Sequence, residues 1–295
     1  MTSKSLRPKP FAVLNSSISI LFQHPIIFYP LVISVFFQLL ALEIFYFAPR
    51  PPLSVFFAPL ISRLWGPEFL HYPYNFLLLP KLFYYAQVVI YLFAGGFLLA
   101  VSIRLIGAFN NDKKMSVKEA WKDCWPSYIH VLLASFLSFF LFFAFAKSYN
   151  NLYIWAAKIQ AKGGVHGFIK HAILGSGLYV QFLVGILITA VLIYVIPIIV
   201  LEKKKIFPAI GLGLKFFWQS FWFTIVVVLV PTLFYLPVLL ARDKIPALMT
   251  VTFPEIELVV LVVSTICATL VDCIIAAAVT TYYLYTKENP ARPSA

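Results

Sequence analysis

Charge is scarce in this chain. Asp, Glu, Lys and Arg make up 12% of the 295 residues, against 62% hydrophobic, too little to cover the surface of a water-soluble protein of this size. Cysteine is scarcer still. Cys124, Cys267 and Cys273 are the only three; two lie six residues apart in one apolar run, which excludes a disulfide framework and leaves them as small packing residues. Nowhere do His, Cys, Asp or Glu fall at metal-ligand spacing such as C-x-x-C or H-E-x-x-H, so neither a metal nor another cofactor is expected. The histidines His24, His71, His130, His166 and His171 are scattered over predicted loops and span ends. Gly163-Gly164 and Gly175-Ser176-Gly177 follow no strand and precede no G-K-[ST], so they are not a phosphate cradle. No catalytic residues can be assigned, and the chain is not expected to be an enzyme.

What the chain does have is long apolar runs. Six of them, at 26–47, 84–107, 129–146, 178–201, 221–241 and 257–285, reach the roughly 20 helical residues needed to cross a hydrocarbon layer about 30 Å thick. Runs such as VVIYLFAGGFLLAVSI (88–103) are unbroken, without the alternation of barrel strands. Peptide groups in lipid must be paired within the span. The expected fold class is therefore all-α: a polytopic bundle of six transmembrane helices, with 1–295 forming a single membrane domain. The longest segment outside the spans, 48–83, is itself apolar and leaves no room for a soluble catalytic domain. Lys4, Arg7 and Lys9 ahead of Phe11–Phe22 mimic a secretion leader, but Asn15, Ser16, Ser17 and Ser19 interrupt it and no A-x-A site follows. The reading is an uncleaved cytoplasmic start.

The net charge of +12 sits beside span ends and not on one face, so it points to the lipid bilayer as partner and away from nucleic acid. With six spans both termini share a side. Placing them in the cytoplasm puts 14 of the 23 Lys and Arg there, including Lys113-Lys114 and Lys203–Lys205, as the positive-inside bias requires. Lys147, Lys158, Lys162 and Lys170, between spans three and four, pull the other way.

Each cytoplasmic entry into the membrane is preceded by an amphipathic stretch. In the middle one Ser116 and Glu119 form a capping box. Val117, Ala120, Trp121, Cys124, Trp125 and Tyr128 then share one helical face, with Lys118, Glu119, Lys122 and Asp123 on the other. In the first, Phe11, Leu14, Ile18, Leu21 and Phe22 form the apolar face and Pro25 ends it. In the third, Pro208 suits a first turn and Lys215 is the only charge through Gln219. Aligning His24-Pro25, Trp125-Pro126 and Gln219-Ser220 gives offsets of 101 and 94 residues. That is the spacing of a threefold repeat of helix plus hairpin, with units of about 11–109, 110–203 and 204–287. An amphipathic prefix on any helix entering a bilayer would give the same pattern.

Three passages also carry a family resemblance: FAVLNSSISILFQHPIIFYPLVIS (11–34), NNDKKMSVKEAWKDCWPSYIHVLL (110–133) and VIPIIVLEKKKIFPAIGLGLKFFWQSFW (195–222). Together they resemble the six-helix membrane domain ahead of some bacterial glycerophosphodiester phosphodiesterases, and related stand-alone membrane proteins. The Pro-containing exit of span four, followed by Leu-Glu, a basic turn and an aromatic helix, is the most specific part. The resemblance implies placement in a bacterial inner membrane. It implies no activity, because no phosphodiesterase domain is present in this sequence.

Charges inside spans are the candidate functional residues, since an Asp or Arg near a helix centre costs about 2.5–3.5 kcal/mol on insertion scales. Asp272 lies well inside span six, Glu43 late in span one and Arg104 late in span two. Arg104 and Glu43 are each placed to reach an interface, and Arg104 is also a partner for Asp272 if span six ends early. For Asp272 two readings stay open: a hydrogen-bonded structural carboxylate, or a proton-relay or substrate site. Ala268, Asp272 and Ala276 share a small-residue face suited to close helix contact. Glu255 and Glu257 read as a solvated edge before span six. Small residues (Gly95, Gly96, Ala100; Gly185, Thr189; Ala268, Ala276, Ala277) favour spans two, four and six at the centre. Pro197, Pro231 and Pro237 are candidate kinks. The function expected from this is a structural or accessory subunit binding membrane partners or lipids; the alternative is a small-solute or lipid transporter using Asp272.

Overall fold

The structure, a computed structural model, describes residues 8–159, 164–244 and 253–288. Lys4, Arg7, Lys162, Gly163, Arg292 and the His166 side chain lie outside the described residues. Among the described residues every regular element is a helix. Six stretches are long and apolar enough to cross a membrane: Pro25–Phe47, Tyr74–Asn110, Val117–Lys158, Tyr179–Glu202, Phe221–Arg242 and Ile256–Glu288. The protein is accordingly a multi-pass membrane bundle.

Helix α1 (Pro10–Gln23) starts on a proline, whose missing N–H costs nothing in a first turn, and ends before Pro25. A 3₁₀ turn, Pro25–Phe28, leads into α2 (Tyr29–Phe47), the first span. A short helix α3 (Ser54–Leu64) follows. Span two is α4 (Tyr74–Ile90), a π turn over Tyr91–Gly95, and α5 (Gly96–Asn110). It begins ten residues ahead of the expected start at 84, because Phe76, Leu78, Leu79 and Phe83 are buried and their packing carries the helix through Pro80.

Helix α6 (Val117–Cys124) opens on the expected Ser116–Glu119 capping box. It passes through a 3₁₀ turn into α7 (Tyr128–Lys158). Span three thus runs well beyond residue 146: polarity rises at Lys147, but no Gly or Pro interrupts the helix up to Lys158. Helices α8 (Gly164–Gly175), α9 (Gly177–Leu192) and α10 (Val195–Glu202) come next, the last two forming span four. The break at Ile193-Tyr194 follows from Pro197, which cannot donate to the Ile193 carbonyl and crowds it. Then come α11 (Ile206–Gln219), α12 (Phe221–Asp243) and α13 (Ile256–Glu288). Helix α12 runs unbroken through Pro231 and Pro237.

Helices α1, α6 and α11 gather at one end of the bundle, hereafter the α1 face. There the His24 ring stacks on Phe109, with centroids 4.2 Å apart and the planes 3° from parallel. The face that α1 buries is rotated from the expected one. It consists of Val13, Leu14, Ser17 and Leu21, while Phe11 and Phe22 point outward. Ser17 tolerates burial because its hydroxyl donates to the Val13 carbonyl at 2.7 Å.

The half of the bundle next to the α1 face is packed solid. Leu105 and Ile106, Tyr194 and Ile198, and Ala278 and Tyr282 are all buried there. Its tyrosines are satisfied: the Tyr194 hydroxyl bonds Thr224 Oγ1 at 2.7 Å, and Tyr282 donates to Ser220 Oγ at 3.1 Å. Spans two and four are the most enclosed, with 61% and 44% of their most apolar windows buried against 17–28% in the others. Span six is enclosed most fully from Cys273 onward, its first half burying one face through Leu261, Ser264 and Thr265. Earlier, Val259, Val263, Ile266 and Leu270 form an exposed stripe.

Close approach between spans uses glycine. A Cβ on Gly96 would fall on Ser135 Oγ, and one on Gly107 would lie 2.7 Å from Leu201 Cδ2. Gly96→Ala is expected to be tolerated, because the Ser135 hydroxyl can rotate. Gly96→Val must push spans two and three apart at a cost of about 1–3 kcal/mol, read as a lower melting temperature of the purified protein. Equal melting temperatures for the two variants would show that the contact is not tight.

Candidate functional site

Two clusters of charge tie the α1 face together. Asp123, on the polar side of α6, receives Arg104 Nε at 2.5 Å and Lys203 Nζ at 3.0 Å. Lys203 Nζ also donates to the Asp123 carbonyl at 2.6 Å. Lys203 itself ends α10 in the left-handed region, at φ 56°. Glu202 next to it pairs with Lys204 at 2.8 Å and Lys287 at 2.9 Å, and accepts from the Tyr283 hydroxyl. The Leu-Glu-Lys-Lys-Lys turn therefore spends two of its lysines on internal pairs that clamp spans two, four and six. Arg104 belongs to this clamp, and its partner is Asp123, not Asp272. Glu43 lies exposed on α2, with no hydrogen bond or ion pair among the described residues.

Asp272 lies elsewhere. In the half of the bundle away from the α1 face, the spans border a half-open cavity of about 500 Å³. Spans one to four and six line it, and Arg242 of α12 adds to it at the far end. A second cavity, of about 320 Å³, lies among spans three to six. Asp272, Ala268, Thr189, Phe142 and Ile275 line both. Asp272 thus stands in the wall common to two half-open cavities, its side chain exposed, with no hydrogen-bond or ion-pair partner among the described residues. The Ala268–Asp272–Ala276 face, expected to seat a neighbouring helix, borders empty space instead.

Helix α13 directs this. Thr265, Ala268, Thr269, Asp272, Ile275, Ala276 and Val279 all line the larger cavity, the three- and four-residue spacing of one helical face. Two intramembrane amides complete the wall. Gln87 Nε2 donates to Gln38 Oε1 at 3.0 Å and to Thr265 Oγ1 at 3.3 Å, and Gln38 Nε2 donates to Ser34 Oγ at 3.4 Å. The π turn of span two presents Tyr91 and Leu92 to the same cavity. The widened turn bonds Gly96 N–H to the Tyr91 carbonyl five residues back, and the Tyr128 hydroxyl satisfies the Phe93 carbonyl at 3.0 Å. Such turns recur at functional sites. The broken segment of span four contributes Leu192, Ile193, Ile196 and Pro197.

Sequence reasoning singled out Asp272 but missed Gln38, Gln87, Thr265, Thr269 and Tyr91. It counted charges inside spans and not amides or hydroxyls, although an amide in a run such as FFQLLAL is also costly in hydrocarbon. It also misplaced Glu257. This residue is in the first turn of α13, fully buried at 0% exposure, with neither carboxylate oxygen hydrogen-bonded among the described residues. The cation whose charge acts on it is Arg242. Glu257 leaves the solvated edge because α13 begins at Ile256 and turns that side chain inward. No three of His, Cys, Asp and Glu come together as a metal ion would need, among the described residues. Compared with family models, with curated proteins and with solved structures, the chain matches none.

Proposed function

We propose that the protein is a membrane carrier that binds a small molecule in the cavity at Asp272. The observation that supports this reading is the unpartnered carboxylate in the wall of a void of ligand size. A scaffold protein gains nothing from a void of that volume, because each missing contact lowers its stability. The packed half beside the α1 face and the hollow half beyond it support the reading of a carrier open on one side. The break at Ile193-Tyr194 and the π turn at Tyr91–Gly95 lie between the two halves, where movement would have to occur.

The finer organisation follows the same proposal. We read α1, α6 and α11 as interfacial helices on the cytoplasmic face, because each buries a narrow stripe and leaves Phe22, Trp121 or Trp218 outward, as aromatic residues do at headgroup level. The bias of basic residues supports cytoplasmic termini, and the three helix-plus-hairpin units support a repeat. The bacterial inner membrane enters only through the resemblance to the phosphodiesterase membrane domains. The reading assigns the protein no covalent chemistry and no cofactor.

An Ala268→Cys variant tests it, with the native protein as control for Cys124, Cys267 and Cys273. A carrier exposes this cysteine to an impermeant thiol reagent from each side of the membrane in turn, in whole cells and in inverted vesicles. Labelling from one side only, with a stoichiometric partner co-purifying from the native membrane, would return the protein to the accessory-subunit reading.

A further inference from the structure

The hydrogen-bonding groups along the cavity wall are not balanced. Thr265 Oγ1 donates to the Leu261 carbonyl at 2.9 Å, and Thr269 Oγ1 donates to the Thr265 carbonyl at 2.9 Å. Each hydroxyl proton is therefore spent within α13, and what these threonines turn outward is lone pairs. Asp272, one turn further on, offers only acceptors when ionised. Both N–H groups of the Gln87 amide are also spent, on Gln38 and Thr265, which leaves its carbonyl oxygen. One stripe of the wall thus runs from the Gln87–Thr265 junction through Thr269 to Asp272 as a row of acceptors, over about 10 Å of helix.

The hydroxyls of Tyr84, Tyr91, Ser138 and Thr189 can act either way, and Gln38, which gives one N–H to Ser34 Oγ, keeps its second N–H as a donor outside this stripe. Arg242, at the far rim, is the one cation lining the cavity among the described residues. Past Asp272, toward the α1 face, the lining is hydrocarbon: Ile275, Ala276, Val279, Ile103 and Ile196. A row of acceptors ending in a carboxylate, set above an apolar floor, is the complement of a molecule with a positively charged donor group and an apolar body. An anion would meet lone pairs along this stripe and a like charge at its end. A bare metal ion would leave the floor and most of the volume unused.

We infer that the ligand of this cavity is an organic ammonium ion with an apolar body, its nitrogen seated at Asp272 between Thr269 and the floor. This rests on the carrier reading and names its ligand class.

Three probes of one shape test the charge: aminoadamantane, adamantanol and adamantane carboxylate, applied to Ala268→Cys protein in lipid nanodiscs in potassium chloride. The ammonium probe is expected to slow labelling of the cysteine by the thiol reagent, and the alcohol and carboxylate to leave it unchanged. On the native protein, binding of the ammonium probe is expected to weaken about tenfold or more in Asp272→Asn and much less in Asp272→Glu. Size-exclusion profiles and melting temperatures serve as the check on folding. A cysteine that never labels takes down the carrier reading and this inference together. A cysteine that labels but is protected by the carboxylate, by the alcohol or by none of the three overturns the ligand class alone. So does a change in labelling on exchange of potassium for sodium with none from the ammonium probe, which would mark a bare-cation site.

Discussion

An Ala268→Phe protein is expected to fold in normal yield and to lose about nine-tenths or more of its affinity for an ammonium probe. Ala268 borders both cavities, and a phenyl ring there enters space that already exists, about 500 Å³ on one side and 320 Å³ on the other. Overpacking is destabilising where a core is full, but this wall is not. The added ring should gain contacts that the void denies its lining. The melting temperature is therefore expected to stay within about 2–4 °C of the native value, a change of about 1 kcal/mol. The ring would also stand over Asp272, one helical turn away, and bar a ligand from it. Should the variant melt far lower instead, the voids are not free space in the folded protein. Should it keep full affinity, the probe binds elsewhere.

Asp123→Ala is expected to be the costliest single change at the α1 face. Its carboxylate serves two cations at once, Arg104 and Lys203. With it gone, Arg104 loses its ion pair and Lys203 keeps only the backbone carbonyl of residue 123, in a region where the two cations are partly exposed, at 28% and 44%. Hydrogen bonds to charged groups are worth about 1.5–3 kcal/mol, and partial exposure discounts the pair. A net loss of about 2 kcal/mol is expected, read as a fall of about 4–8 °C in melting temperature. The position of Lys203 adds to the effect. It holds a left-handed backbone that non-glycine residues rarely adopt, and two contacts with Asp123 keep it there. The substitution removes the carboxylate contact and leaves the carbonyl one, which weakens the hold on the turn that leads from span four into α11. Because the pairs are partly exposed, the gap between variant and native protein should narrow in about 1 M salt. An unchanged melting temperature at low salt would show that the clamp contributes nothing.

The particular residues show which inferences the sequence could carry. Span positions were legible because each is a local property: about 20 consecutive apolar residues specify a crossing wherever it packs. The Ser116–Glu119 box and the break that Pro197 makes in span four were legible for the same reason, since their partners lie within four residues. Arg104 was not legible as a partner of Asp123. The two are 19 residues apart, on different helices, and either could have met several other charges. Glu257 was misplaced because one turn of helix, invisible in composition, moves its side chain from the edge to the interior. Pro231 and Pro237 left α12 continuous although Pro197 broke span four, and only the packing around each helix distinguishes the cases.

The chain alone thus gave six helices apolar enough to cross a bilayer and Asp272 as a charge in apolar surroundings; its small residues put spans two, four and six at the centre, of which two and four are the most enclosed and span six is no more enclosed than spans one and five. Each of these depends on neighbours within a turn or two, where helix geometry is the same in any fold. Only the tertiary structure decided that Asp272 faces a void and not a partner. It alone set the threonines of α13 and Gln87 beside that carboxylate, and bound Arg104 to the opposite end of the bundle. Those outcomes depend on which helices become neighbours and on what their packing leaves unfilled, and a void has no residues of its own to be read.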